Sequence, residues 1–311
     1  MTFKKVVLGL DSSAYTTSLA LVDLSSNIVQ SERIILDVPL GKRGLRQQEA
    51  VFQHIKNYPQ LIKRLDLSNL EVVGVACTTQ PRNIENSYMP VFEVSKSFGE
   101  SFSHTFSVPF FEFSHQEGHI EAGMIDNPFS EDEFLSYHLS GGTSELLLVK
   151  KYENRYQIEI IGGSKDISAG KLIDRIGVAM NLKFPAGKEV DKLASQIESI
   201  KDKGPVSVKD TWFNLSGAET YFYRKIESEF DINKLSYEVL DVVAKSVEKT
   251  LLNAVKTYGN MPILLTGGVS ASDVLRNKLK FKNNDIYYPV IEHCTDNAIG
   301  IANLGVKAMK G

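Results

Sequence analysis

The sequence predicts an α/β protein made of two related halves, on the basis of three observations. Short apolar segments with the character of β-strands alternate with longer segments of helical periodicity. A strand–turn–strand pattern in residues 4–36 recurs from Phe134 onward, which indicates an internal duplication. Short turns rich in glycine or hydroxyl side chains follow or join the strands. Together these patterns favour one large two-lobed fold.

The first half alternates strands and helices. Residues 4–36 predict strand, turn, strand and strand, with an aspartate at the mouth of the hairpin. A helical pattern follows from Gln47 to Leu65, and a buried strand covers residues 71–79. A second helix is predicted at Val91–Phe106, before a short strand at residues 108–113.

The second half starts with another hairpin. The predicted elements are a strand from Phe134, a turn at Ser140–Ser144, a strand after it, a mostly helical stretch at 165–260, a strand at 262–266, a helix from Asp273 and a final helix from Asn297. The segment P-F-S-E-D-E at 128–133 is the best candidate boundary between the lobes.

The bulk composition is that of an ordinary soluble protein. A formal net charge of -3 and a pI near 6.1 exclude a global basic field, so contact with RNA would depend on a local patch or a partner subunit. Cys77 and Cys294 form no disulfide framework, and the opening segment lacks the pattern of a secretory signal. No apolar run approaches the roughly 20 residues of a membrane span. We therefore expect a cytoplasmic protein without a membrane span.

Four turns are candidates for binding a nucleotide: Asp11–Thr17, Ser140–Ser144, Pro185–Gly187 and Gly267–Ser272. Glycine lets a backbone approach a ligand, and unpaired N–H groups suit phosphate oxygens. A single Gly-Gly turn is more often a plain hairpin connection. Four such turns in a duplicated α/β frame predict a nucleotide held between the lobes.

The segment F-S-H-Q-E-G-H at 113–119 supports two interpretations. Ser114 and Glu117 have the spacing of a capping box, so the segment could simply begin a helix. That interpretation leaves His115 and His119 unexplained. At positions i and i+4 the two imidazoles project from one helix face, as two metal ligands must.

Other polar residues carry similar alternatives. Asp296 in C-T-D-N precedes the final helix and could cap it or bind a metal. His138 could be a core histidine or a fourth ligand. Asp174 and Asp191 flank P-A-G on helical segments, where most aspartates simply face water.

Seven motifs occur in one order over nearly the whole chain. They are H-Q-E-G-H, L-S-G-G-T, D-x-x-A-G-x-x-x-D, F-P-A-G-K-E-V-D, L-S-G-A-E-T, T-G-G-V-S-A-S and C-T-D-N. In this combination the chain resembles the TsaD/Kae-type tRNA threonylcarbamoyladenosine synthases, formerly called O-sialoglycoprotein endopeptidases. The resemblance implies the two-lobed actin/hexokinase/Hsp70-like ATPase fold, with duplicated ribonuclease-H-like domains. Residues 1–130 plus 297–311 would form lobe one, and residues 131–296 lobe two.

The resemblance also implies site residues. A divalent metal, iron or zinc, would be held by His115, His119 and Asp296, with His138 as a further candidate. The nucleotide and substrate contacts predicted from the motifs and turns are Asp11, Leu139, Ser140, Gly141, Gly142, Thr143, Asp174, Gly187, Asp191, Gly267, Gly268 and Ser272. The ligand would be ATP, with Mg²⁺ where a nucleotide is bound, or an acyl-adenylate.

The implied reaction moves a threonylcarbamoyl group from its mixed anhydride with AMP to the exocyclic amine of an adenosine in tRNA. Implied partners are tRNA, a paralogous actin-fold subunit and a small ATPase, with a homodimer as an alternative. A peptidase is disfavoured because Glu117 does not occupy the position of a zincin base.

The chain departs from the family pattern at several positions: Thr143, Lys171, Glu219, Ser272, the loop Gln80–Ile84 and the region Gly41–His54. The loop replaces a glycine-rich P-G-L segment on the acceptor side. Metal and adenylate positions are kept while acceptor positions differ, which is typical of a divergent paralogue. A carbamoyltransferase with another acceptor, or a nucleotide-regulated scaffold subunit, is therefore an alternative.

Overall fold

The computed structural model describes residues 3–39, 44–127, 129–200, 203–279 and 286–311. The strands are β1 Lys4–Ser12, β2 Thr16–Asp23, β3 Ile28–Ile35, β4 Leu70–Gln80, β5 Phe110–Ser114, β6 Glu133–Leu139, β7 Ser144–Tyr152, β8 Arg155–Ser164, β9 Ser207–Lys209, β10 Trp212–Asn214, β11 Ile263–Thr266 and β12 Ile286–Tyr287. The helices are α1 Gln47–Ile62, α2 Phe92–Phe106, α3 His115–Asp126, α4 Ala169–Ala179, α5 Gly187–Ala194, α6 Ser216–Ile226, α7 Ile232–Tyr258, α8 Asp273–Lys278, α9 Ile291–Cys294 and α10 Ile299–Lys310. A short 3-10 helix covers Gly268–Ala271.

Two sheets share one strand order. The first sheet runs β3-β2-β1-β4-β5, and the second contains the run β8-β7-β6-β11-β12. In both, the hairpin strands pair antiparallel and the next two strands pair parallel. The duplication predicted from the repeated hairpin is thus confirmed by the topology. The second sheet is longer because β10 and β9 continue it beyond β8.

The strands β1 and β2 of the first sheet are buried along most of their length. All of β2 is buried, and β1 is buried from Val6 to Ser12, so helices cover both faces of the first sheet. Helix α10 packs on β1 and β4 at close range. A Cβ on Gly9 would lie 2.6 Å from the Ala298 carbonyl oxygen, and one on Gly305 would lie 2.8 Å from the Ala76 Cβ. Only glycine permits these contacts.

A crossing of two helices brings the candidate metal ligands together. A Cβ on Gly300 of α10 would lie 1.9 Å from the Gly118 carbonyl oxygen of α3. This close backbone approach holds the start of α10 against the first turns of α3. Asp296, just before α10, is thereby placed beside His115 and His119.

The stretch 165–260 is mostly helical, as predicted, but it also contains two short strands that the sequence pattern did not indicate. The short strands β9 and β10 lie inside it, and Trp212 of β10 pairs with Gly163 of β8. Strands of three residues are too short to show a periodicity of two. The predicted helices at 47–65 and 91–106 are confirmed as α1 and α2, and the final helix begins at Ile299.

Parts of two predictions lie outside the described residues, namely Pro128 in the boundary segment and residues 41–43 in the region Gly41–His54. The lobe limits at residues 130 and 296 stay a prediction. No helix in the described ranges is both long enough and apolar enough to cross a lipid bilayer.

Candidate metal centre and adjoining glycine turns

Three predicted ligands converge at the start of α3. The Nε2 atoms of His115 and His119 are 3.0 Å apart, and the Asp296 Oδ1 atom lies 3.7 Å and 3.2 Å from them respectively. Within the described ranges, these residues form a group whose ligand atoms all lie within 4.8 Å of one another. The pair on one helix face was predicted from the spacing, Asp296 was predicted from the family resemblance, and the structure brings the three side chains together.

The shape of this triangle fits a single cation. An ion bound roughly 2.0–2.2 Å from each of three donors, in tetrahedral or octahedral geometry, separates those donors by roughly 2.8–3.6 Å. The two shorter edges lie in that range and the third is only slightly longer. Two imidazoles and one carboxylate suit zinc or iron(II), and three protein ligands leave coordination positions open.

Asp11 contacts the ring nitrogen of His115 that faces away from His119 and Asp296. Its Oδ1 atom lies 3.0 Å from His115 Nδ1 and accepts a hydrogen bond from the Thr78 hydroxyl at 2.8 Å. The carboxylate is fully buried. A carboxylate on Nδ1 orients the ring so that Nε2 can bind a metal, which is a common arrangement around metal-binding histidines. The structure therefore places Asp11, which was predicted as a nucleotide contact, behind the candidate metal ligand His115.

Ser13 orients Asp296 in the way that Asp11 orients His115. Its hydroxyl donates to Asp296 Oδ2, which leaves Oδ1 facing the imidazoles. The buried His54 of α1 in turn contacts the Ser13 carbonyl oxygen through Nε2 at 2.9 Å and Thr17 Oγ1 through Nδ1 at 2.8 Å. The β1–β2 turn is thus held by contacts with Asp296 on one side and with His54 of α1 on the other.

The electrostatics of the centre favour positive charge. Burial alone would lower the pKa of His115, but the carboxylates of Asp11 and Asp296 raise it to about 10. Burial opposes ionisation of Asp296, yet His115 and His119 hold its pKa well below the usual range. The carboxylates thus create a site in which a proton or a metal cation is stabilised.

His138 lies next to the triangle but outside it. Its ring centroid is 4.6 Å from that of His119, and its Nδ1 is 3.2 Å from the Thr266 hydroxyl. Burial, followed by the neighbouring His119 and His115, lowers the pKa of His138 well below its usual value, so the ring is neutral. His138 is not in the group of three converging ligands.

The structure confirms one interpretation of F-S-H-Q-E-G-H, the capping box, and is compatible with the other. Ser114 caps α3, and Glu117 accepts from the Ser114 N–H at 2.9 Å, so the predicted capping box is confirmed. The fully buried Glu117 also pairs with Arg155 at 3.2 Å. Its oxygens are committed to these contacts, which removes it as the base of a peptidase. Asp296 does not cap α10, because the Ile299 N–H bonds to Asn297 Oδ1 instead.

The Ser140–Thr143 turn lies between β6 and β7 in the second half. The N–H groups of Gly142 and Thr143 donate to Ser140 Oγ at 3.2 and 3.1 Å. A Cβ on Gly141 would meet no atom within 4 Å, so protein packing does not account for a glycine here. The same is true of Gly187 at the start of α5. Open space beside a backbone is what a bound phosphate or ribose requires.

Gly267 has a packing explanation. It has a φ of +86°, and a Cβ on it would lie 2.3 Å from the carbonyl oxygen of the buried Leu139. Open approach to a ligand is therefore not needed to explain Gly267. Gly268 starts the 3-10 helix, and a Cβ on it would meet Thr295 Cγ2 at 3.8 Å, which is an ordinary contact.

Asp174 is held beside Gly187. Its Oδ1 accepts from the Ala186 N–H at 2.8 Å, and burial raises its pKa to about 6 against the opposing hydrogen bonds from Ala186 and Gly187. The half-buried Tyr15 reaches this position from the first half. Its ring lies 5.8 Å from that of Phe184, and burial together with the Asp174 charge raises its pKa.

Asp191 and Ser272 cap α8 together. The Ser272 hydroxyl donates to Asp191 Oδ1, which also accepts from the Val274 N–H at 3.2 Å. Ser272 Oγ accepts from the Leu275 N–H at 3.1 Å. The predicted nucleotide residues Asp174, Gly187, Asp191 and Ser272 are therefore linked through α5.

Sequence reasoning missed Ser13, Tyr15 and the role of Asp11. The turn Asp11–Thr17 contains the segment S-S-A-Y-T-T, and its many hydroxyl groups are the signal that could have singled out Ser13. Nothing in the local pattern indicates that Asp11 meets His115, which is 104 positions away.

The comparisons with known proteins agree with this geometry. A family model described as TsaD: tRNA N6-adenosine threonylcarbamoyltransferase matches residues 48–303. Curated relatives of that name include proteins from Sulfurihydrogenibium sp., 32% identical over 98% of this chain and 91% of the relative, and from Thermosipho africanus, 30% identical over 98% and 94%.

Solved structures share the fold at low identity. HypF from T. kodakarensis has a TM-score of 0.61 at 13% identity, covering 99% of this chain and 48% of the other. A ROK family glucokinase from Streptomyces griseus has a TM-score of 0.56 at 10% identity, covering 98% and 100%. The two-lobed actin/hexokinase-like ATPase fold is thereby confirmed. The chain belongs to the TsaD family of tRNA N6-adenosine threonylcarbamoyltransferases.

Proposed function

We propose that this protein transfers a threonylcarbamoyl group from an acyl-adenylate to the exocyclic amine of an adenosine in tRNA. The amine nitrogen forms a bond to the carbamoyl carbon, the bond from that carbon to the AMP phosphate oxygen breaks, AMP leaves and the amine loses one proton. The observation that carries the proposal is the convergence of His115, His119 and Asp296 in a member of this family.

We propose that these three residues hold one divalent metal ion, iron or zinc. When bound there, such an ion supplies a Lewis acid that polarises an acyl or phosphoryl oxygen. Asp11 orients His115, and Ser13 orients Asp296, so the ligand atoms are preset for that role. His138 is a neighbour of the centre in this proposal, with its neutral ring against His119.

The second half would position the adenylate. Gly141 and Gly187 offer open backbone, and Gly187 lies next to Asp174. The N–H groups of Gly142 and Thr143 can donate to phosphate oxygens in place of Ser140 Oγ. Positioning by fixed dipoles meets the charge of departing AMP without a nucleophilic side chain. ATP with Mg²⁺ is the other ligand of matching chemistry.

The proposal includes the setting in which the reaction occurs. We infer a cytoplasmic protein whose lobes divide near residues 130 and 296, and tRNA as the acceptor. A paralogous actin-fold subunit and a small ATPase are the partners expected from the family resemblance, and a homodimer is the alternative assembly. A nucleotide-regulated scaffold is less favoured, since it would have no use for two imidazoles and a carboxylate arranged for one cation.

The direct test is reconstitution of the reaction. The protein is incubated with threonine, bicarbonate, ATP, an adenylate-forming enzyme and unmodified tRNA, and nucleosides are analysed by mass spectrometry. We expect threonylcarbamoyladenosine with the unaltered protein and at least a 100-fold loss for the His115→Ala, His119→Ala variant. A matched control is His104→Ala, because His104 is exposed on α2.

The other outcomes discriminate between the alternatives. Normal product from the double variant would contradict the metal role. Adenylate binding without any modified nucleoside would indicate a different acceptor. Nucleotide binding that changes partner affinity, without turnover of any adenylate, would indicate a scaffold.

A further inference from the structure

The loop after β4 is anchored directly to the first turn of α3. The Gln116 N–H donates to the Pro81 carbonyl oxygen at 3.1 Å, and the Arg82 N–H donates to Ser87 Oγ at 3.1 Å. This is the loop Gln80–Ile84, where the sequence departs from the glycine-rich pattern of the family. Its backbone is fixed next to His115, so its side chains have defined positions.

The Arg82 side chain crosses to the second sheet. Its Nη2 forms an ion pair with Glu145 Oε1, while Gln116 Nε2 donates to Glu145 Oε2 at 3.0 Å. Glu145 is 9% exposed, so its charge is almost fully withdrawn from water. Both of its oxygens are used, and Glu145 thereby fixes the direction of the guanidinium.

The ion pair lies next to the metal centre. Glu145 of β7 is paired with His138 of β6 in the antiparallel ladder, so the two side chains project from the same face of the sheet. The His138 ring in turn contacts His119. The guanidinium of Arg82 is therefore held on the side of the centre that faces the second half.

Arg82 retains capacity for a ligand. Only Nη2 has a hydrogen-bond partner among the residues that the structure describes, so Nη1 and Nε have donors to offer. The side chain is 32% exposed. A mostly covered guanidinium suits an anion inside the cleft better than an RNA backbone passing over the surface.

We propose that Arg82 is a specificity-determining residue that binds the carboxylate of the acyl group, which the threonine supplies. This inference rests on the proposed function. Arginine pairs with a carboxylate through two parallel hydrogen bonds, a geometry that a point charge cannot provide. Glu145 and Gln116 act as positioning residues, because they set the orientation of the guanidinium.

The test compares two non-hydrolysable adenylate analogues, one with the threonyl carboxylate and one with a carboxamide in its place. Affinities are measured by calorimetry on the full chain. For the unaltered protein we expect the carboxylate analogue to bind roughly 10- to 100-fold more tightly. In Arg82→Gln the ratio should fall to near one, and in Arg82→Lys it should be intermediate.

Glu145→Gln is the matched variant, since it breaks the same ion pair but retains the guanidinium. If Arg82 recognises the carboxylate, Glu145→Gln keeps most of the preference, because the glutamine side-chain oxygen can still accept from Arg82 Nη2 and hold the guanidinium in place. Equal loss of the preference in Arg82→Gln and Glu145→Gln would show that the Arg82–Glu145 ion pair only stabilises the packing of the two halves. That result would overturn the proposal. Melting temperatures establish that each variant is folded.

Two further outcomes separate the possible failures. An unchanged ratio in folded Arg82→Gln would overturn the inference while leaving the proposed function intact, provided that the unaltered protein modifies tRNA. A raised KM for tRNA alone, with an unchanged ratio, would reassign Arg82 to a phosphate and also overturn it. If the unaltered protein bound neither analogue and formed no product, the proposed function itself would fail.

Discussion

The hairpin turns β1–β2 and β6–β7 occupy equivalent positions in the two sheets but have different chemistry. The first turn carries side chains: Asp11 contacts His115, and Ser13 contacts Asp296. The second carries glycines, with open space beside Gly141. The two sheets share one strand order, but the residues in their hairpin turns differ in chemical type. We infer that the first half positions a cation and the second half accommodates a ligand through its backbone.

Among these predictions, removing the charge of Asp11 should have the largest effect, which is on metal affinity. In Asp11→Asn the His115 ring loses its orienting carboxylate, so we expect metal affinity to fall roughly 10- to 100-fold. Competition with a chelator measures the affinity. Asp66→Asn is the control, because Asp66 lies on the exposed surface. Equal affinities in both variants would show that Asp11 does not support the centre.

Filling the open turn of the second half should affect ligand binding and not stability. In Gly141→Val the added Cβ has no protein atom within 4 Å, so we expect nucleotide affinity to fall roughly 10- to 50-fold with an unchanged Tm. In Gly267→Ala the added Cβ meets the Leu139 carbonyl, so the Tm should fall instead. Fluorescence titration and thermal melting test the pair. A lower Tm for Gly141→Val would contradict the interpretation of its turn as ligand space.

Replacing the Asp174 carboxylate should raise the stability of the fold and weaken nucleotide binding. Burial raises its pKa from 3.8 to about 6, so the folded state binds more protons than the unfolded chain between these values. Its contribution to stability is therefore fully present below a pH of about 4 and is lost as the pH rises through about 6. At pH 7 we expect Asp174→Asn to be more stable by about 1–2 kcal/mol, with weaker nucleotide binding.

Urea unfolding of both proteins from pH 4 to pH 8 checks this prediction. The difference in free energy of unfolding should be small at the acid end and grow toward pH 7. A difference that does not depend on pH would mean that the Asp174 carboxylate is not the cause.

The smallest expected effect concerns Ser13. Its hydroxyl contributes one hydrogen bond to Asp296, so Ser13→Ala should weaken metal binding by only about 2- to 10-fold. The same chelator competition measures it, and Ser25→Ala in the β2–β3 turn is a control. A loss as large as that of Asp11→Asn would indicate that the turn itself has moved.

Local patterns predicted the parts of the site that are close in sequence. The capping box predicted the start of a helix, and the spacing of His115 and His119 predicted that both imidazoles project from one face of that helix. The repeated hairpin predicted the shared strand order. Asp296 was ambiguous, because only the structure shows that Asn297 makes the cap contact at α10.

Contacts between distant residues could not be predicted in this way. The Arg82–Glu145 pair joins residues 63 positions apart, and no periodicity marks either of them. The strands β9 and β10 were missed because three residues carry too little pattern and because their pairing with β8 is a tertiary contact. Side-chain partners across the fold are set by packing, which one sequence does not display.

Metal analysis of purified protein tests whether His115, His119 and Asp296 bind one cation. We expect about one divalent ion per chain in the unaltered protein and in His104→Ala. We expect almost none in the His115→Ala, His119→Ala variant with its fold intact. Equal metal content in the double variant and the unaltered protein would show that these side chains do not hold a metal.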